Sequence, residues 1–113
     1  MNCLFCKIIA GDISADKVYE DNDVLAFKDI NPAAPCHILI IPKKHISTLN
    51  DAVFDDQQIL GKMMLTAKDL ANEMNLANDG YRTIMNCNSQ GGQTVYHIHL
   101  HLLGGRPMTW PPG

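Results

Sequence analysis

The chain has 113 residues, 46% of them hydrophobic and 19% charged, with a formal net charge of −3. Residues 1–113 therefore read as one domain, large enough for a core yet small enough to gain from oligomerisation, and its mild acidity excludes a binder of duplex nucleic acid while leaving room for a single nucleotide. No stretch approaches the ~20 apolar residues that span a bilayer, and Lys7 breaks the apolar run a signal peptide would need, so a cytoplasmic, reducing compartment is expected and the four cysteines do not read as disulfides.

In chain order, residues 3 to 10 predict a short helix. Lys17 to Glu20 and Val24 to Lys28 are extended runs around the turn-former Asn22, which predicts a hairpin. Asn31-Pro32-Ala33-Ala34-Pro35 is a loop, because its prolines forbid regular pairing. His37 to Ile41 is a β-branched strand stopped by Pro42. After the acidic start Asp55-Asp56, Ile59, Leu60, Met63, Ala67, Leu70, Ala71 and Met74 recur at three- and four-residue steps. They predict one long amphipathic helix with a core-facing Met-rich stripe, ended by Asn78-Asp79-Gly80. Tyr81 to Asn86 is a further strand, and a Gly-Gly loop leads from it to a last strand at 97 to 103. The order of elements predicts an α+β domain with a mostly antiparallel sheet.

That last strand carries the chemistry. His97, His99 and His101 alternate with Ile98, Leu100 and Leu102, so a strand would put the imidazoles on one face and pin the other to a core. Same-face neighbours on a strand stand about 6.6–6.8 Å apart, which makes a row of titratable rings. Ser89-Gln90-Gly91-Gly92-Gln93-Thr94 precedes the row. Paired glycines let backbone N–H groups converge on an anion, which predicts a phosphate cradle from Gly91 and Gly92 with Asn86 and the Thr94 hydroxyl as further donors. Neutral imidazole is a competent nucleophile near pH 7. No Mg²⁺ motif is present or required.

His97-Ile98-His99-Leu100-His101-Leu102-Leu103 resembles the signature of the histidine triad (HIT) superfamily. Pro35-Cys36-His37, the Ile-Pro-Lys-Lys-His run at 41 to 45, Gly91-Gly92-Gln93 and Trp110-Pro111-Pro112-Gly113 resemble its histidine triad nucleotide-binding branch, from about Cys3 to the C-terminus. The resemblance implies a five-stranded sheet with one long and one short helix, joined in a homodimer into a ten-stranded sheet. It implies a purine nucleoside phosphoramidase that cleaves P–N bonds of adenosine or guanosine 5′-phosphoramidates through a nucleotidyl-histidine intermediate. By position His99 is the nucleophile, His101 contacts the phosphate and assists proton transfer, and His37 supports the same network. Asp29 corresponds to the carboxylate that accepts from the ribose hydroxyls. Leu4, Phe5, Ile8, Phe27 and Ile30 correspond to the apolar slot for the purine, Gln93 belongs to the nucleotide loop, and Trp110 lies on an arm that reaches toward the partner's site. Thr94 stands where many relatives have Ser, and Lys28 and Pro107 also vary, so leaving-group preference does not carry over.

Cys3-Leu4-Phe5-Cys6 is a second constellation. A redox Cys-x-x-Cys follows a strand, for which nothing before residue 3 leaves room, and a zinc ribbon needs a second such pair. The resemblance implies a structural zinc held by Cys3, Cys6, His45 and His97; the alternative is a pair of ordinary thiols. Two other functional readings stand beside the phosphoramidase. One is a zinc hydrolase using His97, His99 and His101 together, against which the outer two are about 13 Å apart at strand spacing. The other is a nucleotide-binding regulatory module with weak or vestigial catalysis.

Overall fold

The computed structural model describes residues 2–113. Helix α1 (Leu4–Ala10) is followed by strands β1 (Lys17–Glu20), β2 (Val24–Lys28) and β3 (Cys36–Pro42), two short 3₁₀ turns, helix α2 (Gln57–Glu73), and strands β4 (Tyr81–Ile84) and β5 (Leu100–Gly104). The strands form one sheet in the order β1-β2-β3-β5-β4. As expected, the sheet is antiparallel, and at every pairing.

Alternation along the three central strands divides the interior into two cores. Val24 and Ala26, Ile38 and Ile40, and Ile98, Leu100 and Leu102 face α2, where Met63, Ala67, Leu70 and Ala71 close over them. Leu25 and Phe27 with Leu39 and Ile41 face the other way, against Cys3, Phe5 and Ile8 at the start of α1. A sheet covered on both faces explains why β2 and β3 read as unbroken apolar runs. The Met-rich stripe of α2 packs inward as expected, whereas Met64 and Leu65 lie exposed on its other side.

The hairpin turns on Asp21 rather than on Asn22 alone, since Asp21 Oδ1 accepts from the N–H groups of Asp23 and Val24 at 2.8 and 2.9 Å. Helix α2 ends well before Asn78-Asp79-Gly80. Asn75 takes a left-handed φ of 61°, its N–H returns to Asn72 O at 3.2 Å and that of Leu76 to Ala71 O at 2.8 Å. Those bonds make a Schellman cap with asparagine in the glycine position, and they turn Leu76 back into the α2 core. At the other end, Asp56 caps no helix N–H through its side chain. It instead accepts from Val53 N at 2.9 Å and Lys44 Nζ at 2.6 Å.

The histidine strand is shorter than its pattern. Regular pairing begins at Leu100, opposite Ile40, and that register would place Ile98 opposite Pro42. Proline has no N–H to donate, so the ladder stops there. Ile98 N donates to Ile46 O instead, at 2.8 Å, and residues 97–99 follow a path of their own. β4 likewise stops at Ile84, before Asn86.

Candidate active site

The early end of the ladder separates the three period-two histidines. The ring of His97 is fully buried and donates from Nε2 to Pro42 O at 2.7 Å, while its Nδ1 turns toward the cysteines. The rings of His99 and His101 stay together, with centroids 4.9 Å apart. The alternative of a three-histidine metal centre, which strand spacing already opposed, does not fit: the rings of His97 and His99 serve different neighbours, and of the three His99 and His101 face the cleft.

Hydrogen bonds fix the tautomers of the remaining rings. His99 Nδ1 lies 2.8 Å from the carbonyl oxygen of His97. A carbonyl can only accept, so Nδ1 carries the proton and Nε2 keeps its lone pair. His37 Nδ1 accepts from Ala33 N at 3.0 Å, which puts its proton on Nε2. That proton is donated to His101 Nδ1 at 2.9 Å, and His101 must then carry its own on Nε2. His101 Nε2 is buried and has no partner among the described residues. Such an orphan is expensive unless a ligand satisfies it. The pair of rings thus offers a lone pair on one side and an N–H donor on the other.

Burial holds the imidazoles neutral. The protonation constants of His37 and His99 lie below the ordinary value because burial disfavours their cations, and nearby Asp29 opposes that effect. His101 falls furthest, to about 4, through burial first and then the proximity of His99 and His37. Asp29 Oδ2 is 3.4 Å from His37 Nε2, and Asp29 Oδ1 accepts from Asn31 N at 2.8 Å. The Asp29, His37 and His101 side chains are close enough to hold a cation together. The bond from Ala33 argues for a proton relay there, because a metal on His37 Nε2 would leave that ring with no proton.

These shifts predict a pH dependence of stability. A histidine whose folded constant is depressed stays neutral while the unfolded chain protonates near its ordinary value of about 6.5. Stability is then fully present above pH ~6.5 and declines as pH falls toward about 4, where His101 titrates in the fold. Thermal melts across that window should show the slope, and His101→Asn should flatten it. An unchanged slope in the variant would remove His101 as its source.

A cleft of about 450 Å³ lies in front of the rings. Leu4, Phe5, Ile8, Phe27, Asp29, Ile30, Thr94, His99 and His101 all line it. Phe5 stands edge-on to Phe27, with centroids 5.5 Å apart, and to His99 at 5.1 Å. Ile30 is 91% exposed and so forms part of the mouth rather than a buried wall. His37 does not line the cleft and is joined to it by its bond to His101. Ile13, Ser14, Ala15, Lys28, Asn31, Leu39 and Val95 complete the lining. The residues at 13–15 escaped the sequence reading because they sit in an irregular segment with no periodicity; only their place just after Gly11 hints that α1 ends there and the chain turns back.

In the loop expected to cradle a phosphate from Gly91 and Gly92, two N–H groups already have partners within the loop. Gly92 N donates to Ser89 O at 3.1 Å and Gln93 N to Asn88 O at 3.0 Å, so neither N–H is free for an anion. The buried Gln93 amide is also committed, accepting from Asn88 N at 2.9 Å and donating to Ser47 O at 2.8 Å. A loop of tight turns uses its own donors to close. Its glycines serve that closure: a Cβ on Gly91 would lie 2.4 Å from Cys87 O, and Gly92 has φ +85°. Gly92, Gln93 and the half-buried Asn86 do not line the cleft, and Thr94 is the part of the loop that does. Trp110 is also away from it, 82% exposed beneath Arg82 at the β4 edge, with 5.9 Å between guanidinium and ring.

Behind Phe5 the other cluster assembles. Cys3, Cys6, His45 and His97 bring their ligand atoms within 4.8 Å of one another and could hold a metal ion. Cys3 caps α1, accepting at Sγ from Cys6 N at 3.3 Å.

The described fold is an antiparallel sheet presenting paired imidazoles to an apolar cleft with a carboxylate at one side, the shape of a small-molecule site. Residues 10–108 match the HIT domain family, and the chain belongs to it. The chain is 54% identical over 105 residues to the purine nucleoside phosphoramidase of Escherichia coli K12, covering 93% of this chain and 88% of that protein. Its fold matches a HIT family hydrolase from Legionella pneumophila with a TM-score of 0.98 and 61% identity, covering 99% and 100% of the two chains. A histidine triad nucleotide-binding protein from Candida albicans gives 0.82 at 31% identity, covering 97% and 83%.

Proposed function

We propose that the chain hydrolyses purine nucleoside 5′-phosphoramidates through a nucleotidyl-histidine intermediate on His99. The observation that carries the reading is the bond from His99 Nδ1 to His97 O, which leaves Nε2 unprotonated on a ring lining the cleft. In the first step Nε2 attacks the α-phosphorus and the P–N bond breaks. The amine is too basic to leave as an anion, so it departs with a proton taken from water at the open side of the cleft, and the water that attacks in the second step gives that proton back. The positive charge on the phosphorylated ring is met by the His97 carbonyl. The Nε2–H of His101 donates to a phosphoryl oxygen, and Thr94 adds its hydroxyl. Water then attacks phosphorus from the side the amine has left, releasing the nucleoside monophosphate and restoring His99.

Purine and ribose occupy the rest of the cleft. Phe5, Phe27, Leu4 and Ile8 offer an apolar slot for the base, and Asp29 accepts from the ribose hydroxyls at its edge. The relative from Escherichia coli supports the purine and the P–N bond; the lone pair on His99 supports the mechanism. The test is turnover of adenosine 5′-phosphoramidate with amine and AMP measured together. Equimolar release is expected, and no release at saturating substrate would reject the function.

The Cys-His cluster fits zinc. A tetrahedral Cys₂His₂ site with ordinary Zn–S and Zn–N lengths spaces its ligand atoms by about 3.3 Å for N···N and 3.6 Å for N···S. Here His45 Nδ1 and His97 Nδ1 are 3.1 Å apart, and their contacts to sulfur are 3.4, 3.4 and 3.6 Å. The outer nitrogens have partners too, Pro42 O at 2.7 Å and Ser47 Oγ at 3.0 Å, as ligating imidazoles usually do. Zinc there would supply a structural cross-link from α1 to the segments after β3 and before β5, and these four residues would hold it.

A homodimer completes the reading. β4 forms an open edge of the sheet, and α2 leaves Met64 and Leu65 exposed beside the core stripe, surface that a second copy can bury. Joined through two sheets of five strands, the dimer would carry ten, with the Trp110 arm of each protomer directed toward its partner's cleft. Light scattering at micromolar concentration should give twice the chain mass; a stable monomer would reject the dimer. In the dimer Trp110→Ala should alter preference among leaving amines more than preference among purines.

A further inference from the structure

We propose that the Cys3–Cys6–His45–His97 cluster, when it holds its metal, sets the tautomer of His99 and thereby the rate of the chemical step. The proposal rests on the zinc and nucleophile readings above and joins them through one residue. His97 is a cluster member through Nδ1, is tied to Pro42 O through Nε2, and offers its backbone oxygen to His99 Nδ1 at 2.8 Å. It is a positioning residue, acting on the substrate only through His99.

The sheet does not fix that carbonyl. Pro42 ends the ladder before His97, so the orientation of the 97–98 peptide is left to a few tethers. They are the Ile98 N bond to Ile46 O at 2.8 Å, the His97 ring bond to Pro42 O, and the ring's place in the cluster. A metal on Nδ1 would anchor the ring at its second nitrogen. Without it His45 can carry its proton on Nδ1 and donate to His97 Nδ1, 3.1 Å away, so that a single hydrogen bond replaces the metal as the ring's second anchor.

The consequence for His99 follows from imidazole chemistry. A neutral histidine free in water prefers its proton on Nε2, the form with no lone pair at that nitrogen. Among the described residues, the His97 carbonyl is what holds the proton on Nδ1. Phe5 links the parts further, edge-on to His97 at 5.8 Å and to His99 at 5.1 Å, on the helix that Cys3 caps and to which Cys6 belongs. Release of the metal therefore loosens the carbonyl and the adjoining wall together.

The experiment uses full-length protein with ¹⁵N-labelled imidazoles, zinc-loaded and after exhaustive chelation, alongside Cys6→Ser. Metal content, circular dichroism, the ring ¹⁵N–¹H correlations of His99, and the single-turnover rate of adduct formation are read on the same samples. With zinc, His99 should be a single Nδ1–H species. Without it, Nε2–H should become populated, and the adduct rate should fall by about 10- to 100-fold, the usual cost of losing a supporting shell. Chelation of wild type keeps the test open if the variant does not fold. Zinc bound at one per chain, with the same tautomer and rate after its removal from folded protein, would overturn the coupling alone. Protein that takes up no zinc would overturn the metal reading and the coupling with it. An adduct on another residue would instead overturn the nucleophile.

Discussion

Replacing His99 with alanine should lower kcat by about 10⁴-fold or more, because the covalent route disappears and only binding and the remaining donors assist water. The buried ring is not a general spare part of the core, for its neighbour His101 already leaves a buried N–H without a partner among the described residues. Binding of a substrate analogue should change little, since base and ribose are held by other residues of the cleft. Quenching a slow substrate with the wild-type enzyme should give a mass increment on His99, stable to base and labile to acid as a phosphoramidate is. Wild-type kcat in His99→Ala would sink the mechanism, whatever the identity of the substrate.

The second large effect is expected from the Cys3→Ala/Cys6→Ala double substitution. Loss of the proposed zinc centre should cost about 3 kcal/mol or more and lower Tm by roughly 10–20 °C. The apolar part of that loss is small, since alanine remains compatible with the core around Phe5 and Ile8. Most of it would come from releasing α1, whose Leu4, Phe5 and Ile8 form one wall of the cleft, so KM should rise as well. Zinc stoichiometry and melts with and without chelator decide the matter. Wild-type protein with no zinc and a Tm indifferent to chelator would leave two thiols and return His97 to a purely hydrogen-bonding role.

Much of the framework was legible because it is periodic. The alternation from 97 to 103 shows which side chains face the helix, and Ile98, Leu100 and Leu102 do so. The three- and four-residue steps from Ile59 to Met74 find α2 and its buried face. Their end was misplaced because Asn75 performs the turn that glycine ordinarily performs, and asparagine carries a weaker signal in sequence. The glycine loop is less legible for a different reason. Gly-Gly is equally suited to binding an anion and to closing tight turns, and the partners of Gly92 and Gln93 show the second use.

The sequence by itself determined the chemistry available: a row of imidazoles framed by apolar residues, a cysteine pair three residues apart, and a carboxylate between Phe27 and Ile30. It also determined the strands and helices that carry them, since local periodicity is enough for that. Tertiary structure alone decided how the histidines divide. Pro42 lies far from His97 in sequence, yet pairing of β3 with β5 brings its missing N–H to the point where the ladder must stop. Beyond that point His97 turns to Cys3, Cys6 and His45, His99 turns its Nδ1 to the carbonyl so exposed, and His101 remains in the sheet under His37. The tautomer of each ring, and hence which nitrogen can attack, depends on a partner that chain folding supplies and spacing cannot show.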